Sequence, residues 1–273
     1  MDKKRITASI WPWGTQTREQ MKKAAKEVHE IGYQTFESVK AAIYAFDMDL
    51  AAYREVLDQY ELKPVSFYFH LPVFEGTTEF FSKIDKELEF IADLGVKRIC
   101  LQATGGRPLE MTPENKQREL ELIAKFAETS RQFGIMSNLH PHHNTWVMYQ
   151  DEIEYILDNL DEKTIAFAPD TAHLVVGNCD PVKVIEKYAR RVNFTHFKDI
   201  KNANVESAGM SSAGMEVYSN FCELGAGCVD FKGVFDVLKS VNYDGPLCVE
   251  LDKAPISNAE SARNNYFYVL NNY

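Results

Sequence analysis

The chain has little cysteine, and none of it is arranged for pairing. Its five cysteines, Cys100, Cys179, Cys222, Cys228 and Cys248, form no CxxC pair. That excludes a zinc finger or a disulfide framework and points to a reducing cytoplasm. Cys100 and Cys248 lie inside apolar runs, where a free thiol acts as a small hydrophobe. No apolar run reaches the roughly 18 residues that a membrane helix needs. The charged start, Met1-Asp-Lys-Lys-Arg-Ile, lacks the apolar segment of a secretory signal. Basic excess is also missing, since the net charge is −10, which speaks against a nucleic-acid partner. The first predicted strand is followed by Trp11-Pro-Trp-Gly14 rather than a GxGxxG loop, which argues against a dinucleotide-binding open sheet.

What is present is a repeating rhythm. Apolar, strand-like runs begin near 6, 34, 65, 97, 135, 165, 192 and 246, mostly about 30 residues apart, the length of one βα unit. Between them lie helical stretches with recognisable ends. Thr17 and Gln20 form a capping box, and Gly32 is a stop. Pro113 follows Thr112 at the favoured first helical position, and Gly134 ends that helix. Eight such units without hairpin signals predict an α/β fold: a (β/α)8 TIM barrel, one domain over 1–273. The rhythm breaks at 199–230, which is polar, weakly periodic and too long for a plain connection. It reads as a lid or a partner contact.

In a barrel of this type, chemistry sits at the C-terminal ends of the strands. Of seven histidines, only His29 falls in mid-helix; His70, His140, His142, His143, His173 and His196 fall at or just past strand ends. Glu37, Asp170, Asp199, Glu250 and Asp252 do the same. Three runs share one grammar: Ile165-Ala-Phe-Ala-Pro-Asp-Thr-Ala-His173, Val192-Asn-Phe-Thr-His-Phe-Lys-Asp199 and Pro246-Leu-Cys-Val-Glu-Leu-Asp252. Asp170, His196 and Glu250 thus come from adjacent strands, and the fifth strand adds His140. Two carboxylates and two imidazoles can hold one divalent ion, Mn, Co, Mg, Ni, Fe or Zn. For Glu250 the alternative is a salt bridge to Lys198. For His143 the better reading is a plain loop residue. Asp199 and Asp252 either orient histidine ligands or serve as solvated caps. Trp11, Trp13 and Trp146 are placed to line a pocket for a small polar ring with apolar faces.

Asp170-Thr-Ala-His173 with Gly177 and Asp180-Pro181, His196-Phe-Lys-Asp199, Leu224-Gly-Ala-Gly227 with Asp230-Phe231, and Tyr243-Asp-Gly245 leading to Glu250 resemble the xylose isomerase-like TIM barrels. More closely, they resemble the sugar phosphate isomerase/epimerase group, which includes ketose 3-epimerases, inosose dehydratases and C-glycoside-cleaving barrels. The resemblance implies one divalent metal and chemistry beside a carbonyl. It implies Asp170, His196 and Glu250 as ligands, His173 as a substrate-binding histidine, and Glu37 and His70 as contacts to sugar hydroxyls. His140 stands where the group commonly has a ligand glutamate, and His142 matches the histidine two residues later. That departure removes one of the two acid/base carboxylates of the epimerases.

The expected activity is a metal-dependent sugar isomerase or epimerase, working through proton abstraction and an enediolate. The base is His142 or His140, because imidazole titrates near working pH without tuning. Glu250 is the ligand and second acid/base group. The alternative is a lyase that eliminates a β-substituent from a keto-sugar, inosose or 3-keto-glycoside. A third reading, of another class, is a non-catalytic sugar-binding barrel. The expected partner is a small sugar or cyclitol, with a homo-oligomer or a partner subunit left open.

Overall fold

The structure, a computed structural model, describes residues 2–105, 107–108, 110–203 and 213–273, with backbone alone for 213–216. The strands are β1 (Ile6–Ser9), β2 (Thr35–Val39), β3 (Lys63–Pro72), β4 (Arg98–Thr104), β5 (Met136–Leu139), β6 (Ala166–Phe167), β7 (His196–Phe197), β8 (Asp199–Ile200), β9 (Phe221–Cys222) and β10 (Leu247–Val249). The helices are α1 (Arg18–Ile31), α2 (Ala41–Tyr44), α3 (Leu50–Gln59), α4 (Thr77–Asp93), α5 (Pro113–Gln132), α6 (Gln150–Asn159), α7 (Thr171–Val176), α8 (Pro181–Lys187), α9 (Ala213–Asn220), α10 (Phe231–Ser240) and α11 (Asn258–Asn272).

Eight strands form one parallel sheet in the order β6-β5-β4-β3-β2-β1-β10-β7. Bridges Phe167↔Val192 and Asp170↔His196 join its two edges, so the sheet closes and the expected (β/α)8 barrel is the fold. The capping signals act as read. Thr17 and Gln20 make the reciprocal capping box of α1, and Gly32 ends it with φ 114°. Thr112 caps α5 with Pro113 at its first position.

Strand alternation sorts the side chains into two apolar layers. Phe67 and Phe69 point out to the helices, where Phe69 meets Phe126 of α5 at 5.9 Å between rings. Tyr68 points inward and packs with Cys100, Ala168, Phe194 and Cys248 as the floor of the barrel interior. The polar site rests on that floor.

Two differences from the sequence reading matter. Asp170 starts an unexpected helix, α7, by accepting the His173 N–H at 2.8 Å. Within 199–230, β8 pairs antiparallel with β9, and α9 leads into β9. Residues 204–212 of that stretch lie outside the described residues, as therefore does part of the lid or partner-contact reading. Among the described residues no helix is long and apolar enough to cross a membrane.

Candidate active site

His196 on β7 is fully buried, and its two nitrogens face different neighbours. Nε2 bonds Oε2 of Glu37 on β2. A carboxylate paired in this way accepts a hydrogen bond from Nε2–H, so Nδ1 is the nitrogen aimed at the mouth. There Nδ1 lies 2.9 Å from Glu250 Oε2. The angle is wrong for a hydrogen bond, and neither atom has another hydrogen-bond partner among the described residues. His140 repeats the arrangement: Nδ1 is 3.3 Å from the Ala168 carbonyl, leaving Nε2 unpartnered. Asp170 uses Oδ1 to cap α7, and its Oδ2 makes no hydrogen bond.

The four residues read from the sequence as ligands each keep one buried atom without a hydrogen bond, although Asp170 Oδ2 has the Lys198 ammonium 3.2 Å away. Such atoms are costly unless something completes them. Ligand atoms of Asp170, His196 and Glu250 all lie within 4.8 Å of one another; His140 belongs to an overlapping group with His196 and Cys100. The charges point the same way. Asp170, Glu250 and the part-buried Asp252 gather round one lysine, Lys198, while Glu37 is held by His196. Two carboxylates and two imidazoles suit a divalent ion of intermediate hardness, so the residues present fit one.

Lys198 is the residue that the sequence reading undervalued. Its ammonium is fully buried, 2.5 Å from Glu250 Oε1, 2.8 Å from Asp252 Oδ2, 3.2 Å from Asp170 Oδ2 and 3.0 Å from His173 Nε2. Both readings of Glu250 therefore hold at once, one oxygen for each. Burial works against the Lys198 ammonium, but Asp170, Asp252 and Glu250 outweigh it and hold the pKa well above the ordinary lysine range. Burial likewise opposes charge on Glu250; Lys198 and His196 reverse this and keep it ionised. Burial drives His140 and His173 far below the usual histidine value and His142 down to about 3, so all three are neutral near pH 7.

A cavity of about 240 Å³ opens beside this cluster. Trp11, His70, His142 and Glu250 line it, as the sequence led one to expect; so do Tyr68, Gln102, Tyr218 and Asp252, which it did not. Tyr68 was legible in principle, because it shares the inward alternation of His70. Tyr218 sits in the stretch without periodicity and gave no signal. Trp13 and Trp146 are not among the lining residues. Trp13 is in the core with its indole N–H on Glu27, and Trp146 is fully buried against Phe74. Glu37 lies beneath the cavity, bonded to His196. His173 stands one layer back, its ring 3.7 Å from that of His142. His142 Nδ1 lies 2.8 Å from the His143 carbonyl, which leaves Nε2 as its basic nitrogen.

Among the described residues neither Asp199 nor Asp252 is hydrogen-bonded to a histidine. Asp252 reaches Lys198. Asp199 turns away from the site and accepts backbone N–H groups from Gly225, Gly227 and Val229 at 2.9–3.1 Å. A Cβ on Gly227 would lie 2.3 Å from Asp199 Oδ1, which accounts for glycine there.

Known proteins share this architecture. The family model described as xylose isomerase-like TIM barrel matches residues 25–266. An inosose dehydratase of Clostridium beijerinckii is 28% identical over 229 residues, 77% of this chain and 76% of its own length. A crystal structure of the IOLI protein with a bound zinc atom superposes with TM-score 0.78 at 14% identity, covering 97% of this chain and 96% of that one. A structure of L-ribulose 3-epimerase gives TM-score 0.76 at 16% identity, covering 97% and 93%.

Proposed function

The chain belongs to the xylose isomerase-like TIM barrel family and is an enzyme, and from that premise we propose that it removes a proton beside the carbonyl of a keto-sugar or keto-cyclitol and then expels water. The observation that carries this reading is the set of buried atoms on His140, Asp170, His196 and Glu250 that make no hydrogen bond. These four residues would hold a divalent ion, which supplies Lewis-acid polarisation of the ketone oxygen when bound.

This chain's own groups divide the remaining work. Trp11 offers an apolar face to the ring, and Tyr68, Gln102 and Asp252 offer polar contacts to hydroxyls. His142 is neutral and presents Nε2, so it is ready to accept the α-proton. Its low pKa makes it a weak base, which suits only a carbon already acidified by a polarised ketone. The proton that His142 has taken then leaves with the β-hydroxyl as water, while Lys198, fully buried and held by three carboxylates, fixes the aim of Asp170, Glu250 and Asp252. The balance is simple: one C–H proton goes to His142, one C–O bond breaks, and one water departs. The lack of a fifth-strand carboxylate favours elimination. The name of the Clostridium relative agrees.

Isomerisation or epimerisation is the second reading, favoured by Glu250, whose carboxylate lines the cavity and could return a proton from another side. Incubation with inososes and ketoses in D₂O separates the two. Elimination gives a product lighter by water; isomerisation gives one of unchanged skeleton mass carrying deuterium. His142→Ala is expected to keep its metal and lose α-proton exchange, whereas Glu250→Gln loses both. Absence of exchange with every substrate and divalent ion tried would sink the reading.

A further inference from the structure

We propose that Glu37 is a positioning residue that turns His196 so that Nδ1, and not Nε2, faces the metal. The proposal rests on the metal reading above and deepens it. Family resemblance assigned Glu37 to sugar hydroxyls, but its side chain is 0% exposed and does not border the cavity. It lies on the inner side of His196, and the two residues, 159 apart in sequence, are in direct contact.

Three features hold Glu37 to that task. Ser66 Oγ donates to Oε1 at 2.7 Å, so only Oε2 is left for the imidazole. The β2–β3 register then supplies Ser66. Phe36 pairs with Pro64 but Glu37 pairs with Ser66, a slip that passes over Val65. Without the slip, an apolar valine would stand where the hydroxyl is needed; re-aiming of a side chain beside a site is a recurrent use of such irregularities. The thiols of Cys100 and Cys248 complete the surroundings, with sulfur 3.9 Å from His196 Nε2 and from Glu37 Oε2. Both thiols are fully buried and bond only weakly, so the carboxylate remains the strong acceptor for Nε2–H.

A buried carboxylate is penalised by desolvation unless a specific partner offsets it. Glu37 recovers that cost through His196, and His196 gains a fixed ring plane, a fixed tautomer and a more basic Nδ1. Carboxylates paired with metal-bound histidines act in this way, and their loss typically weakens metal binding 10–100-fold.

The test pairs calorimetry of Zn²⁺ and Mn²⁺ binding with NMR of ¹⁵N-histidine-labelled protein, on wild type, Glu37→Gln and Ser66→Ala. In metal-free wild type a far-downfield proton on Nε2 of His196, assigned by its absence from His196→Gln, is expected. Glu37→Gln, nearly the same size, should shift that proton upfield and weaken binding of both ions about 10–100-fold while the protein still melts cooperatively. Ser66→Ala should do the same to a smaller degree, and it serves if Glu37→Gln does not fold. In the zinc-loaded wild type the shifts should mark Nδ1 as the bound nitrogen. Equal affinities in all three proteins, or zinc on Nε2, would overturn the proposal. A wild type that shows the downfield proton but takes up no divalent ion would overturn the metal reading and leave Glu37 holding His196.

Discussion

Glu119 illustrates how much one side chain's surroundings decide. It lies on the inner face of α5, almost wholly buried, and one of its oxygens has no partner among the described residues. Burial, joined by the charge of Glu152 and opposed by Arg107 and Lys116, pushes its pKa from 4.5 up to about 8. The folded protein therefore holds a proton that the unfolded chain releases between those values. The stability this confers is full below about pH 4.5 and is lost as pH rises through about 8, by up to about 1.4 kcal/mol per unit. Wild type is expected to melt at a lower temperature at pH 8.5 than at pH 6, and Glu119→Gln to show a smaller difference. Equal differences in calorimetric scans would contradict this. No pattern in the sequence separates Glu119 from the exposed acids around it on the same helix. The placements of His140, Asp170, His196 and Glu250 were legible because strand ends are easy to locate. Lys198 was in plain view in the same motif, but its significance depends on three carboxylates arriving from other strands.

Elements hold the site through their ends. Asp170 caps α7 with one oxygen and presents the other to the cluster, 3.2 Å from Lys198, so the helix fixes the aim of the side chain. Asp199 does the equivalent for the 225–229 turn, tying it to β8 through three backbone N–H groups. Asp199→Asn replaces one accepting oxygen with a donor that faces those groups. Bonds to a charged acceptor contribute roughly 1.5–3 kcal/mol each, so a loss of about 2–4 kcal/mol is expected in urea titration. The amides of Gly225, Gly227 and Val229 should exchange faster with solvent; unchanged midpoint and protection would contradict the role. The helix boundaries were readable from local chemistry: a capping box at Thr17, proline after Thr112, glycine at 32 and 134. β6 and β7 were not. Apolar runs there suggested strands of about six residues, whereas two residues of each pair in the sheet. β7 is short because pairing with β10 begins only at His196, and beyond β6 Asp170 still bridges His196.

Closure of the whole barrel brings residues from β2, β5, β6, β7 and β10 to one point. That point carries excess negative charge in a chain that is already at −10. A ligand that binds only the closed barrel stabilises it by mass action, about 4 kcal/mol at a thousand times its dissociation constant. Added divalent ion is therefore expected to raise the melting temperature of chelator-stripped protein. His196→Ala should remove most of that rise. A melting temperature indifferent to every divalent ion would speak against the metal site.

The sequence alone determined the barrel, because its period of about 30 residues and its local caps are short-range properties. It also determined which residue types stand at the strand mouths. Only the tertiary structure decided their partners. Whether Glu37 meets a substrate or a histidine, whether Glu250 serves Lys198 or the ion, and which tryptophan faces the cavity all depend on register and closure. Those are contacts between residues far apart in the chain, 159 positions for Glu37 and His196 and 211 for Glu37 and Cys248, and no local pattern encodes them.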